Sequence, residues 1–156
     1  LYSESNGLGD KGVDILVRNL PKLEVLYLSK TMSNLGSNEV ESDGALSIAE
    51  NLHNLTVLDL GKGLFEVGNN LLRNEGAIAI AKTQSKIRKL NLADNVINDE
   101  ALEEIAVHMP QLIHLDVCND MDNSAENSVG EPGVLAISTH LKSLTKLSIS
   151  IVANIT

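Results

Sequence analysis

The sequence predicts an α/β solenoid, a curved stack of repeats with a parallel β-sheet on the concave face and α-helices on the convex face. Three observations predict it. A short pattern, leucine-x-x-leucine-x-leucine, recurs at Leu23/Leu26/Leu28, Leu55/Leu58/Leu60, Ile87/Leu90/Leu92, Leu112/Leu115/Val117 and Leu144/Leu147/Ile149. An Asn stands six residues before a small residue in every unit: Asn6 before Gly12, Asn38 before Gly44, Asn70 before Gly76, Asn95 before Ala101 and Asn127 before Gly133. From that small residue onward, apolar side chains fall at +1, +4, +5 and +8, the stripe of a helix that buries one face. The start-to-start spacings are 32, 32, 25 and 32, so about five repeats of 25 or 32 residues fill a single domain, 1–156.

Each element follows from its residues. In the strand, the leucines point one way and stack on their counterparts in adjacent units, while the residues between them face solvent. The Asn comes next. An inward amide offers donors and an acceptor to backbone groups where the chain leaves the sheet, so Asn6, Asn38, Asn70, Asn95 and Asn127 read as a structural ladder. Two residues on lies an apolar anchor: Leu8, Val40, Leu72, Ile97 or Val129. The helix stripes are Val13/Leu16/Val17/Leu20, Ala45/Ile48/Ala49/Leu52, Ala77/Ile80/Ala81 with Gln84 breaking the pattern, Leu102/Ile105/Ala106/Met109, and Val134/Ile137/Ser138/Leu141. Asp10, Asp43, Glu75, Asp99 and Glu131 sit at the helix starts, where carboxylates suit the exposed amides as caps and dipole partners. Gly at a helix start costs up to ~1 kcal/mol relative to Ala, so its four occurrences predict close helix-to-sheet packing.

The run Asn6-Gly7-Leu8-Gly9-Asp10-Lys11-Gly12-Val13 resembles the Asn-x-Leu-Gly-Asp-x-Gly-Ala consensus of ribonuclease-inhibitor-like leucine-rich repeats. That type also occurs in Ran GTPase-activating protein and in the receptor ends of NOD-like immune proteins. The spacing departs from the usual 28 or 29 residues. The short helix-to-strand return, and the stretch from Asn98-Asp99-Glu100-Ala101-Leu102 to Met109-Pro110-Gln111-Leu112, are similar to the cysteine-containing repeats of F-box proteins. The resemblance implies a leucine-rich-repeat solenoid that works by binding.

Composition narrows the partner. A net charge of −9 over 156 residues argues against nucleic acid or an anionic membrane, both of which call for a basic face, and favours a basic or mixed-charge protein. One cysteine, Cys118, permits no internal disulfide, which favours a reducing, cytoplasmic compartment. No apolar run approaches the roughly 20 residues that span a bilayer, and no signal peptide is expected ahead of Leu1. The opening residue aligns with Leu26 in mid-strand and the tail after Leu147 is apolar. A piece of a longer array is therefore expected, with self-association through uncapped ends.

The spacing of 32 places seven extra residues between strand and Asn in three units, giving long connections at Ser29–Ser37, Gly61–Asn69 and Cys118–Glu126 on one edge of the sheet. They carry Met32 and Leu35, Phe65, and Met121, which either bind a partner or pack on one another. On the strands, Tyr2 and Tyr27 share a solvent-facing row with Asp59, Asn91, Asp116 and Ser148, beside a row of Val25, Val57, Lys89, His114 and Lys146. Tyr is enriched at interaction hot spots, although exposed strands also favour it. The candidate partner-binding set is thus Tyr2, Tyr27, Asp59, Lys89, Asn91, His114, Asp116, Lys146, Phe65, Met32 and Met121.

Catalytic chemistry finds little support. His114, Asp116 and Cys118 share a strand face, but an alternating pattern yields such a triplet by chance. His53, His108 and His140 lie near helix C-termini, where a cation is mildly favoured. Gly61-Lys62-Gly63 lacks the earlier Gly of a phosphate loop, since Thr56 stands in its place. The histidines and cysteine lack zinc spacing. Asn54-Leu55-Thr56 and Asn154-Ile155-Thr156 are formal glycosylation sequons, the first across a core strand residue. The expectation is a non-enzymatic protein-interaction module without cofactor or metal. The alternatives are a regulatory repeat domain of a GTPase-activating or NOD-like protein, or a bacterial effector acting on a host protein.

Overall fold

The computed structural model describes residues 1–2, 7–29, 38–61, 70–119 and 126–150. Strand and helix alternate along the chain: α1 (Gly9–Asn19), β1 (Val25–Tyr27), α2 (Ser42–Asn51), β2 (Val57–Asp59), α3 (Arg73–Thr83), β3 (Lys89–Asn91), α4 (Asp99–His108), β4 (His114–Val117), α5 (Glu131–His140) and β5 (Lys146–Ile149). The five strands form one parallel sheet in sequence order. Each helix packs beside the helices before and after it, and each strand beside its sequence neighbours. Strands stand about 4.8 Å apart. Packed helices need 8–10 Å, so a stack with one of each per repeat must curve with its sheet inside.

The register sets the rows. Leu26, Leu58, Leu90, Leu115 and Leu147 pair rung by rung, and the first four are buried. They pack on the helix stripes, including Val13, Val17, Ile48, Ile80, Leu102, Ile105 and Ile137, in one continuous core. The anchors Val40, Leu72, Ile97 and Val129 are buried as well. At the ends the pattern opens. Leu20 is 44% and Leu147 42% exposed, because neither has a described repeat beyond it to lie against, and Ser138 is exposed on α5. Gln84, by contrast, is buried in the leucine position it occupies. Its Nε2 donates to the Ala49 carbonyl at 3.2 Å, one of the last carbonyls of α2, which no helical amide can reach.

Two hydrogen-bonded ladders fasten repeat to repeat. The first uses the described Asn residues, all buried; Asn6 lies outside the described residues. Asn70 donates from Nδ2 to the Leu60 carbonyl of its own unit at 2.9 Å and to Leu28 of the preceding unit at 3.3 Å, while its Oδ1 accepts from Val40 N–H at 3.0 Å. Asn95 and Asn127 repeat this arrangement one and two units on. Asn95 reaches Leu60 and Ala93 carbonyls and the Leu72 amide, and Asn127 reaches Leu92 and Val117 carbonyls and the amides of Asn95 and Ile97. Asn38 donates to Leu28 at 2.9 Å.

The second ladder runs through the helix starts and corrects two expectations. Asp10 and Asp99 serve the next helix along, not their own: Asp10 Oδ1 accepts from Glu41 N–H at 2.8 Å, and Asp99 Oδ1 from Gly130 and Gly133 N–H at 2.8 and 3.1 Å. Between them, Ser42 donates to the Leu72 carbonyl, and Asn74 pairs reciprocally with Asn98, the side-chain cap of α4. The helix-start glycines are likewise explained by the neighbouring helix, not the sheet. A Cβ at Gly44 would stand 2.6 Å from Asp10 Oδ1, at Gly76 2.7 Å from Ala45 Cβ, and at Gly133 2.5 Å from Asp99 Oδ1. Gly12 meets only Leu8 of its own unit, at 3.1 Å.

Candidate functional site

Alternation along the strands turns two rows of side chains away from the core. Cα pairing aligns Val25, Val57, Lys89, His114 and Lys146 in one row, and Tyr27, Asp59, Asn91, Asp116 and Ser148 in the next. Tyr2 joins the second row through a parallel bridge to Tyr27. The two rings stack face to face, centroids 4.6 Å apart and planes 4° from parallel, with Tyr2 71% exposed. Desolvation, aided by Tyr2 and Asp59, raises the Tyr27 phenol above its ordinary value. Beside this pair is a concavity of about 250 Å³ lined by Tyr27, Val57, Asp59, Lys89, His114 and Asp116.

The polar residues of the second row are half-buried and partly committed to the backbone. Asp59 Oδ1 accepts from Gly61 N–H at 3.2 Å, Asn91 Oδ1 from Ala93 N–H at 3.0 Å, and Asp116 Oδ1 from Cys118 N–H at 3.2 Å. Each closes an Asx turn where the strand ends. A Cβ at position 61 would collide with the Asn91 amide, which is why the chain has Gly there. Burial pushes the Asp59 carboxyl up to about 6, with Asp116 adding repulsion and the bonds from Gly61, Ser29 and Asn91 opposing it.

His114 lies in the first row between two lysines. Desolvation and the positive charges of Lys146 and Lys89 lower its pKa, with Asp116 pulling the other way, and its Nε2 is buried without a hydrogen-bond partner. Cys118 is half-buried. Burial and the Asp116 carboxylate push its thiol up to about 12, the wrong direction for a nucleophile at neutral pH. Asp116 bonds to the Cys118 backbone and raises its thiol pKa, so the triplet does not form an activated thiolate.

A leucine-rich repeat family model matches residues 83–106, a stretch running from the end of α3 through β3 into α4. The fold is a leucine-rich-repeat solenoid. The matched unit is the one spaced at 25 residues, whose strand-to-helix connection lacks the seven-residue extension of the three units with long connections. No curated protein matches the chain significantly.

On this leucine-rich-repeat face the structure brings together Tyr2, Tyr27, Asp59, Lys89, Asn91, His114, Asp116 and Lys146. Phe65, Met32, Leu35 and Met121 lie outside the described residues, as does most of each long connection. Sequence reasoning missed the Asx turns and one clamp. Asn119 accepts from Asn127 N–H at 2.7 Å and donates to its carbonyl at 2.8 Å, closing the base of the third connection. The signal was present as an Asp or Asn two residues before Gly61, Ala93 and Cys118 at each strand exit. Among the described residues no three His, Cys, Asp or Glu side chains could together hold a metal ion, and no helix is long and apolar enough to cross a membrane.

Proposed function

We propose that the chain is a non-catalytic protein-interaction module whose sheet face, with the connections along its edge, binds a protein partner of mixed charge. The stacked Tyr2–Tyr27 pair carries this reading. In a chain with one Phe and no Trp, its two tyrosines are stacked in one exposed row beside a concavity. Tyr brings large contact area, little entropy loss and a polar tip to an interface. The family supports the general role, since repeats of this type build binding surfaces and are typically not enzymes. Readings as a regulatory domain of a GTPase-activating or NOD-like protein, or as a bacterial effector, would use the same face and differ in what the rest of the polypeptide does.

We place the module in a reducing cytoplasm, on its single half-buried cysteine, and read 1–156 as one domain within a longer array. The exposed Leu20 and Leu147 are the surfaces through which the array would continue or self-associate. The test is affinity capture of the partner followed by Tyr27→Ala. Binding should weaken by about 2 kcal/mol or more, the scale of a hot spot, while cooperative unfolding is retained. Glu103→Lys on the exposed face of α4 should leave binding unchanged. Loss of binding on Glu103→Lys with Tyr27→Ala silent would place the interface on the helices.

A further inference from the structure

The row Val25–Val57–Lys89–His114–Lys146 is uneven in a way the overall charge conceals. The chain carries 21 acidic against 12 basic residues, yet three successive rungs of this row are basic and none of its five is acidic. Lys89 and Lys146 are exposed, and neither makes an ion pair among the described residues. Neither adjacent carboxylate makes an ion pair with them. Asp59 and Asp116 each turn one oxygen to a backbone N–H at the strand exit. Lys89 and Lys146 lie on alternate strands with His114 between them, and no ion pair within the described residues ties down either lysine. His114, with its partnerless Nε2, is held toward the neutral form by burial and then by the two lysines, which leaves them as the cationic pair of the row. They lie two strand spacings apart, about 10 Å. Two exposed cations on one row without an ion pair among the described residues leave their charge free to meet an outside group.

We propose that the Lys89–His114–Lys146 row is the subsite that receives the carboxylates of an acidic segment on the protein partner, next to the apolar and aromatic end formed by Val25, Val57 and Tyr27. This rests on the sheet face being the interaction face. It fixes the orientation of the bound segment: its acidic end lies over β3 to β5 and its apolar end over β1 and β2. The net charge of −9 governs long-range approach, whereas this row governs what is accepted at contact.

The experiment uses hexaglutamate as probe and the His114 imidazole as reporter, its NMR signals assigned with His114→Gln in the full chain. Apart from the probe, the charges facing that ring are Lys89 on β3, Lys146 on β5 and Asp116 on its own strand. Bound carboxylates should raise the apparent pKa of His114 by about half a pH unit or more, and the effect should weaken as salt rises. In Lys89→Gln/Lys146→Gln the free protein should show a raised His114 pKa, because two cations are gone, and hexaglutamate should no longer move it. His114 signals that ignore hexaglutamate, or respond equally in the double variant, would overturn the proposal. So would a response to hexalysine in its place, or tenfold tighter binding of a phosphoserine peptide, which would make phosphate the ligand. The probe reads the subsite without the natural partner, so a failure with hexaglutamate beside a Tyr27-dependent partner overturns this proposal alone, whereas a partner found on the helix face overturns the proposed function and this proposal with it.

Discussion

Replacing Asp59 by Asn should stabilise the protein at neutral pH, and the gain should disappear in acid. The ordinary carboxyl value is 3.8, and burial at the strand exit raises that of Asp59 to about 6. At 1.36 kcal/mol per pH unit the full displacement corresponds to about 3 kcal/mol; solvent reaching a half-buried group reduces this to about 2 kcal/mol. The sign follows from proton binding. Between pH 6 and 3.8 the folded protein holds a proton on Asp59 that the unfolded chain has released, so the wild type gains stability as the pH falls through that window. Above pH 6 both states are ionised, and the folded one bears the full desolvation cost. Asn keeps the Asx turn, as Asn91 does with Ala93 N–H one repeat on, and removes the charge. Urea unfolding of both proteins from pH 4 to pH 8 should show the variant ahead by about 2 kcal/mol at pH 7.5, with the difference closing toward pH 4. A variant that is less stable at pH 7.5, or a difference that does not change with pH, would refute the assignment of a desolvated carboxylate.

The remaining predictions use the two ladders and the thiol. Asn95→Ala strands the Leu72 amide and the Ala93 carbonyl in the core, leaves the Leu60 carbonyl to Asn70 alone, and should cost about 3 kcal/mol in denaturant unfolding. Gly133→Ala places a methyl on Asp99 Oδ1 and should cost roughly 2 kcal/mol by loss of the cap between repeats. Gly12→Ala meets only Leu8 and should lie within about 0.5 kcal/mol of wild type, since better helix propensity offsets the tight contact; equal effects at the two sites would refute the neighbouring-helix explanation. Iodoacetamide should modify Cys118 at pH 8 at least about a hundredfold more slowly in native protein than in urea, because its thiol is pushed up to about 12 and few thiolates are present.

Much of the fold was legible because solenoid contacts are local. Each leucine of the strand pattern meets its counterpart one repeat away, so a single period specifies strand order, parallel pairing and both outward rows. The row containing Tyr27, Asp59, Asn91, Asp116 and Ser148 could be written from spacing alone, and the register repeats it. The partners of the helix-start residues were not legible. Asp10, Asp43, Glu75, Asp99 and Glu131 look alike by position, and only packing shows that Asp99 reaches into α5 and Asp10 to the start of α2. Nor could Gln84 be read as buried, because the Ala49 carbonyl that accommodates its amide belongs to another repeat, 35 residues away.

By itself the sequence determined the period, the faces of strand and helix, the inward Asn positions and the side of the molecule that carries its tyrosines. Periodicity of apolar residues suffices for these, since burial depends on which way a side chain points and that is a property of the local backbone. Tertiary structure decided which oxygen caps which helix, why Gly133 cannot carry a methyl, and how strongly Asp59, His114 and Cys118 are desolvated. These depend on distances of about 3 Å between atoms of different repeats, and on water excluded by neighbours that no single repeat contains.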